Sequence, residues 1–82
     1  MPGVRVNLYA AARGAVGASS VDVPAGTLDS ILAAIAAEHP GFASVWPRCS
    51  FLIDGLAVHG APASVQVPDG SALDVLPPFA GG

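Results

Sequence analysis

The sequence predicts an α+β fold in which a mixed β-sheet packs on one main helix. Three observations predict it. Apolar and polar residues alternate near both ends of the chain, over residues 4–9 and 73–75, as in strands with one buried face. Apolar residues recur at three- and four-residue spacing over residues 27–38, as in an amphipathic helix. Because one helix covers one face of a sheet, the strands are expected to share a single sheet wrapped over it.

The first two strands are predicted on either side of an Ala- and Gly-rich stretch. Residues 4–9 form the first strand, and residues 21–23 form the second by the same alternation. The stretch between them, residues 10–20, carries one charged side chain, Arg13, and is predicted as a loop or a single helical turn. We therefore expect a first hairpin.

The main helix has recognisable start and stop signals. Thr27 can cap its N-terminus, and Asp29 lies in the first turn, where the helix dipole favours an anion. Pro40 cannot continue a helix, so this one is predicted to end near Glu38. The apolar residues that follow have helical spacing and predict a short turn packed under the sheet, with Trp46 in the core.

The second half of the chain is predicted to form short strands. Two apolar runs, residues 50–53 and 56–59, flank Asp54-Gly55, a dipeptide that accepts the positive φ angles of a tight hairpin turn. Residues 64–67 can pair at a sheet edge, and a turn at residues 68–70 leads into the last strand. The first and last strands are then expected to be central parallel neighbours, which is the β-grasp layout.

Composition excludes several classes of function. The 82 residues are 52% hydrophobic and allow one compact domain. The chain has no Lys and a formal charge of −3, which argues against nucleic acid and favours a basic protein partner. No apolar stretch reaches the roughly 18 residues that a bilayer span requires, and no targeting signal opens the chain. A single cysteine excludes internal disulfides, as is usual for proteins of the reducing cytoplasm. Together these observations lead us to expect a cytoplasmic protein without membrane contact.

No catalytic or metal-binding constellation stands out in the sequence. The six acidic residues are spread singly, whereas paired acid–base chemistry needs two groups placed together. His39 and His59 are too few for a metal site, and Cys49, without Cys-x-x-Cys spacing, is assigned as a small buried hydrophobe. We expect no metal and no bound cofactor. The carboxylate of Gly82 remains as the candidate reactive group.

The C-terminal tail is the most distinctive part of the chain. Pro77 and Pro78 donate no backbone hydrogen bonds and restrict the chain to extended geometry, so the last strand must leave its sheet there. Gly81 and Gly82 lack the Cβ that would keep a partner from closing around the backbone. We therefore divide the chain into a β-grasp domain, residues 1–76, and an extended, mobile tail, residues 77–82.

The pattern of the last strand and tail resembles a known family. Its sharpest part is Asp69-Gly70-x-x-Leu73-x-Val75-x-Pro77-Pro78-Phe79-x-Gly81-Gly82. Further support comes from Ala10-x-x-Arg13-x-x-x-Gly17, and from Thr27-Leu28 at the start of a helix that ends at Glu38-His39-Pro40. These motifs are similar to those of the MoaD/ThiS-type sulfur carriers, which have a ubiquitin-like fold, and most closely to the small subunit of molybdopterin synthase.

The resemblance implies a sulfur carrier that is not catalytic alone. An E1-like adenylating enzyme would activate Gly82 with ATP, and sulfur would replace AMP to give a C-terminal thiocarboxylate. The tail would then enter the large subunit of molybdopterin synthase, in a heterotetramer of two small and two large subunits. There it would give its sulfur to a pterin precursor in molybdenum cofactor biosynthesis.

The resemblance also implies roles for individual residues. Gly82 would carry the acyl group, and Gly81 would permit close passage through a partner. Phe79 and Leu76 are candidate apolar anchors, for which packing onto the parent sheet is the competing interpretation. Arg13 is a candidate contact to an acidic site on a partner, with a solvated surface Arg as the alternative. The candidate partner-binding segment as a whole is Leu76, Pro77, Pro78, Phe79, Ala80 and Gly81.

Three alternatives remain open at this stage. The same tail chemistry could serve thiazole, cysteine or tRNA thiolation, as in a ThiS-like carrier. The chain could instead be a ubiquitin-like modifier that forms amide bonds to lysines, or an interaction domain whose tail is never activated. Gln66-Val67-Pro68 stands where related subunits often carry basic residues, and Asp54 stands where many have Asn. These departures concern the identity of the partner.

Overall fold

The computed structural model describes residues 3–78, and within them the chain forms seven strands and two α-helices. The elements in chain order are β1 Val4–Leu8, α1 Ala10–Val16, β2 Ser20–Val23, β3 Gly26–Thr27, α2 Leu28–Glu38, β4 Ser50–Ile53, β5 Leu56–Ala57, β6 Gln66–Val67 and β7 Ala72–Leu76. Short 3-10 turns lie at Pro40–Ser44, Trp46–Arg48 and Pro62–Ser64. Neither α-helix has the length and apolar character needed to cross a membrane.

Five of the strands form one mixed sheet in the order β2-β1-β7-β4-β5. Strands β1 and β7 are parallel neighbours, with Val6 opposite Leu73 and Leu8 opposite Val75. The first and last strands are therefore adjacent near the middle of the sheet, which confirms the prediction. Strand β6 pairs with β3 in a separate two-stranded ladder, so residues 64–67 do not extend the main sheet as an edge strand.

The core lies between one face of the sheet, here called the inner face, and α2. The helix buries the apolar residues that the sequence predicts, and its cap is formed as expected, because Thr27 Oγ1 accepts a hydrogen bond of 3.1 Å from the Ser30 backbone N–H. The fully buried large side chains are Phe42, Leu8, Leu28, Ile31, Leu32, Leu73, Val4, Val6, Val67 and Val75. This is the predicted α+β arrangement of a mixed sheet on one main helix.

Helix α1 replaces the predicted loop or single turn between β1 and β2. Two of its seven residues, Ala12 and Val16, are buried, and they lie one turn apart. Gly17 ends the helix with a left-handed φ of 80°, and its N–H donates to the carbonyl of Arg13 at 2.8 Å. The first hairpin is confirmed, since β2 pairs antiparallel with β1, and α1 lies in its connection.

Two features of the second half refine the predictions. The Asp54-Gly55 turn is confirmed, with φ angles of 49° and 83° between β4 and β5, although β5 has two residues rather than four. Phe42 is fully buried in its 3-10 turn, whereas Trp46 is partly buried and packs against the edge of the core. The tryptophan therefore contributes to the core without lying inside it.

Candidate functional site

The tail follows strand β7, which is held firmly in the middle of the sheet. The strand is paired on both sides, with β1 and with β4, and it buries Leu73 and Val75 on the inner face. The strand ends at Leu76, and Pro77 and Pro78 follow outside it. Because a proline has no N–H to offer a neighbouring strand, the sheet pairing stops where the sequence predicts.

An apolar groove with a volume of about 570 Å³ lies at the root of the tail. We call it the root groove. No lining side chain is charged, and Tyr9 is 44% exposed, one of two large hydrophobic side chains that are exposed within residues 3–78. The lining residues are Tyr9, Ala10, Ala11, Ser50, Leu76, Pro77 and Pro78.

The turn from β1 into α1 forms one wall of the root groove. Tyr9 is extended, with φ −122° and ψ 151°, and its carbonyl accepts a hydrogen bond of 3.0 Å from the N–H of Ala12. Ala10 has a φ of 49°, in the left-handed region that favours glycine. The methyl side chains of Ala10 and Ala11 are small, which leaves the space between this turn and the two prolines open.

The outer face of the sheet, opposite α2, continues from the root groove. Its two electrostatic contacts link neighbouring strands. Arg5 Nε lies 3.1 Å from Asp22 Oδ1 in an exposed ion pair, and Asn7 Nδ2 donates to Asp74 Oδ1 at 2.9 Å in a partly buried hydrogen bond. Leu76 belongs to this face, because it is partly buried but does not pack against the core.

A family model decides the classification of this chain. The ThiS family model matches residues 6–82, which include most of the sheet and the whole tail. The chain belongs to the ThiS family. The resemblance to MoaD/ThiS-type sulfur carriers is thereby confirmed. No curated protein sequence matches the chain at a significant level.

Solved structures support the same ubiquitin-like β-grasp fold for this ThiS-family chain. The HVO 2177 protein of Haloferax volcanii is 29% identical, with a TM-score of 0.76 over 96% of this chain and 85% of its own. Small archaeal modifier protein 1 of Methanosarcina acetivorans is 20% identical, with a TM-score of 0.83 over 100% and 99%. The complex of subunits 1 and 2 of the Helicobacter pylori molybdopterin-converting factor contains a chain that is 21% identical, with a TM-score of 0.69 over 100% of both.

The structure places the predicted site residues of the ThiS-family chain in three groups. Leu76, Pro77 and Pro78 come together in the root groove. Arg13 is exposed on α1 and does not line that groove. The remaining four, Phe79, Ala80, Gly81 and Gly82, lie outside the described residues, so their assigned roles, and the division at residue 76, stay predictions.

Sequence reasoning missed the other wall of the root groove. Tyr9, Ala10, Ala11 and Ser50 were not selected as site residues, although all four line it. The sequence did contain one indication that Tyr9 is exposed. The alternation of β1 buries Leu8 and therefore directs the next side chain, Tyr9, away from the core. Ser50 lies opposite Leu76 in the β4–β7 register, a pairing that the linear sequence does not display.

Cys49 behaves as a partly buried structural residue. Its thiol donates to the carbonyl of Val45 at 3.4 Å, and its side chain packs against the core. Burial raises the pKa of the Cys49 thiol above its ordinary value, so the thiolate is scarcer at neutral pH than for a free cysteine. Within residues 3–78, no three His, Cys, Asp or Glu side chains come together as a metal site.

Proposed function

We propose that this chain is a sulfur carrier, the small subunit of a molybdopterin synthase, with Gly82 as the carrier residue. The family match supports the proposal because it runs through residue 82 and so includes Pro77-Pro78 and Gly81-Gly82. The position of the tail supports it as well, since the tail follows a central strand beside an apolar groove.

The proposed chemistry takes place in partner proteins. An E1-like enzyme transfers AMP from ATP to the carboxylate of Gly82, with release of pyrophosphate. A sulfur nucleophile then attacks the acyl carbon and displaces AMP, which leaves a thiocarboxylate at Gly82. In the acceptor complex, the thiocarboxylate sulfur is transferred to a pterin precursor and water restores the carboxylate. The carrier itself supplies an acyl group on an extended segment and a surface for recognition.

Each described part of the site has a role in this proposal. Pro77 and Pro78 direct the tail away from the sheet, so that a partner can surround it without opening the fold. The root groove offers an uncharged surface next to the tail, where a partner side chain can be buried without desolvating a charge. Leu76 joins the groove to the outer face and is the described member of the proposed pair of apolar anchors.

A ubiquitin-like modifier is the second candidate function. One of the structural neighbours is a small archaeal modifier protein, and another is part of a molybdopterin-converting complex, so both functions occur on this fold. The two functions share activation of the C-terminal carboxylate and differ in the acceptor. The double proline before the glycines favours the molybdopterin branch, because it resembles the ending of that small subunit.

The test is intact mass spectrometry of the purified chain after incubation with its E1-like enzyme, ATP and a sulfur donor. A carrier gains the mass of one oxygen-to-sulfur exchange at Gly82. Adding the large synthase subunit and a pterin precursor should then return the original mass. Amide-linked conjugates at lysines of other proteins would instead support the modifier. No mass change after repeated incubation would reject activation altogether.

Gly81→Ala provides a matched variant for the tail. The substitution adds one methyl group to the segment proposed to pass through a partner, in a position outside residues 3–78. We expect unchanged unfolding and impaired thiocarboxylate formation or transfer, because the partner must close around this backbone. Gly14→Ala is the control, since a Cβ at Gly14 meets nothing within 4 Å. Normal turnover of the Gly81 variant would contradict the proposed close passage.

A further inference from the structure

The outer face carries a carboxylate, that of Asp74, that forms no salt bridge within residues 3–78. Asp74 lies in β7 between Leu73 and Val75, both of which are buried on the inner face, so its side chain is on the outer face. Within residues 3–78 its one side-chain hydrogen-bond donor is the amide of Asn7, at 2.9 Å. The ion pair on this face belongs to other residues, Arg5 and Asp22.

Apolar side chains flank this carboxylate. Leu52 lies opposite Asp74 in β4, Ala57 lies opposite Leu52 in β5, and Leu76 follows two residues later on the same face. Leu52 and Leu76 are partly buried but do not pack against the core. A partner that covers these residues also removes water from Asp74, which is unfavourable unless the partner supplies a cation or hydrogen-bond donors.

The length of the tail requires a partner to approach this face. Four residues, 79–82, separate Pro78 from the proposed acyl group of Gly82. Fully extended, four residues span at most about 14 Å, so the reacting centre of a partner must lie within that distance of the root groove. A protein with an enclosed active site cannot approach so closely without covering the surface around the root of the tail. Leu76, which lies on both the groove and the outer face, is part of that surface.

We propose that Asp74 determines partner specificity by accepting an Arg or Lys side chain from the E1-like enzyme that activates the tail. The inference rests on the proposed function, because that function requires an activating enzyme. Charge complementarity supports it: the chain has a formal charge of −3 and no Lys, and Asn7 occupies one oxygen of Asp74. The other oxygen is available for a charged donor, and the flanking leucines exclude water from the pair.

The experiment compares binding of the full chain and its variants to the E1-like enzyme of the same organism, by isothermal titration calorimetry without ATP. Asp74→Asn keeps the shape of the side chain and an oxygen that can accept from Asn7, but it removes the charge. We expect its Kd to rise about tenfold or more, and the dependence of affinity on salt concentration to become weaker. Asp74→Glu, which retains the charge, should keep most of the salt dependence.

Asp69→Asn is the matched control. It removes the same charge from an exposed turn at the opposite end of β7 from the tail, and we expect wild-type affinity. Circular dichroism and thermal unfolding verify that each variant is folded. Equal affinities for the wild type and Asp74→Asn, or equal losses for the Asp69 and Asp74 variants, would overturn the inference.

Thiocarboxylate formation, measured on the same samples, separates this inference from the proposed function. If the wild type is thiolated and Asp74→Asn binds equally well, the carrier function is supported and the role of Asp74 is rejected. If the enzyme binds the wild type more tightly than Asp74→Asn but no thiolation occurs, the contact is supported and the carrier function is rejected. Absence of binding by the wild type rejects both. Self-association that Asp74→Asn abolishes would assign the face to a second copy and overturn the proposal.

Discussion

Substitutions of two leucines of β7 should distinguish effects on the stability of the fold from effects on the proposed binding of a partner. Leu73 is 0% exposed and contributes to the core on the inner face, whereas Leu76 is half-buried, outside the core, and lines the root groove. Leu73→Ala removes a fully packed side chain from a central strand and should lower the free energy of unfolding by about 2–5 kcal/mol. Leu76→Ala shortens a partly exposed side chain outside the core, leaves no core cavity, and should lower the free energy of unfolding by about 1 kcal/mol.

These energies correspond to well-separated melting temperatures. For a chain of 82 residues, the entropy of unfolding near 60 °C is about 0.17 kcal/mol/K. Leu73→Ala is therefore expected to lower Tm by roughly 12–30 °C, and Leu76→Ala by roughly 6 °C. A domain of this size has about 4–12 kcal/mol of stability in total, so the Leu73 variant must be assayed at low temperature.

The assay pairs thermal unfolding, followed by circular dichroism, with thiocarboxylate formation at a temperature where both variants are folded. We expect Leu73→Ala to retain the wild-type KM in the reaction of the activating enzyme and Leu76→Ala to raise it, because Leu76 lies on the surface that the activating enzyme is proposed to cover. The reasoning is refuted if both variants are destabilised equally, or if folded Leu73→Ala has the larger defect in KM.

Three further predictions concern the helix ends and the cysteine. Thr27→Ala should lower the free energy of unfolding by about 1 kcal/mol, measured by urea denaturation, because it removes the acceptor for the Ser30 N–H, while Thr27→Ser should retain the cap. Gly17→Ala should lower the free energy of unfolding by about 1 kcal/mol because of the φ of 80° alone, since an added Cβ meets nothing within 4 Å. Unchanged stability would show that the left-handed C-cap does not require glycine. Burial raises the pKa of the Cys49 thiol, so its alkylation at neutral pH should be slower in the folded chain than in urea. In the folded chain the alkylation rate should also keep rising above the pH at which a free thiol is fully ionised.

The fold was predictable wherever one residue pattern sufficed. Alternation identified β1 and β7, and the Thr27 cap, with the apolar spacing behind it, identified α2. For α1 only a loop or a single helical turn was predicted, because the helix has seven residues, a glycine at position 14 and only two buried residues. A helix so short is stabilised mainly by tertiary packing and by its Gly17 cap rather than by intrinsic propensity.

The end of β7 before the two prolines was predictable, whereas the other wall of the root groove was not. The restricted backbone of Pro77 and Pro78 can be inferred from the sequence. Their proximity to Tyr9 and Ser50 in the root groove cannot, because it results from strand pairing. The hydrogen bond from Asn7 to Asp74 likewise joins positions 67 residues apart. Such contacts depend on the registers that β7 forms with β1 and with β4. Alternation alone does not specify these registers, because many registers satisfy the same two-residue period.

In the proposed function, the two faces of β7 separate core packing from the recognition of a partner. Successive side chains of a strand point to opposite faces, so residues that hold the domain together alternate with residues that a partner meets. Substitutions at Asp74 or Leu76 change the proposed recognition surface with little loss of core packing, whereas substitutions at Leu73 or Val75 affect the core directly. Because β7 also leads into Pro77 and Pro78, the outer face lies next to the start of the tail. In the proposed function, specificity for a partner can thus change along the outer face while the pairing of β7 with β1 and β4 is preserved.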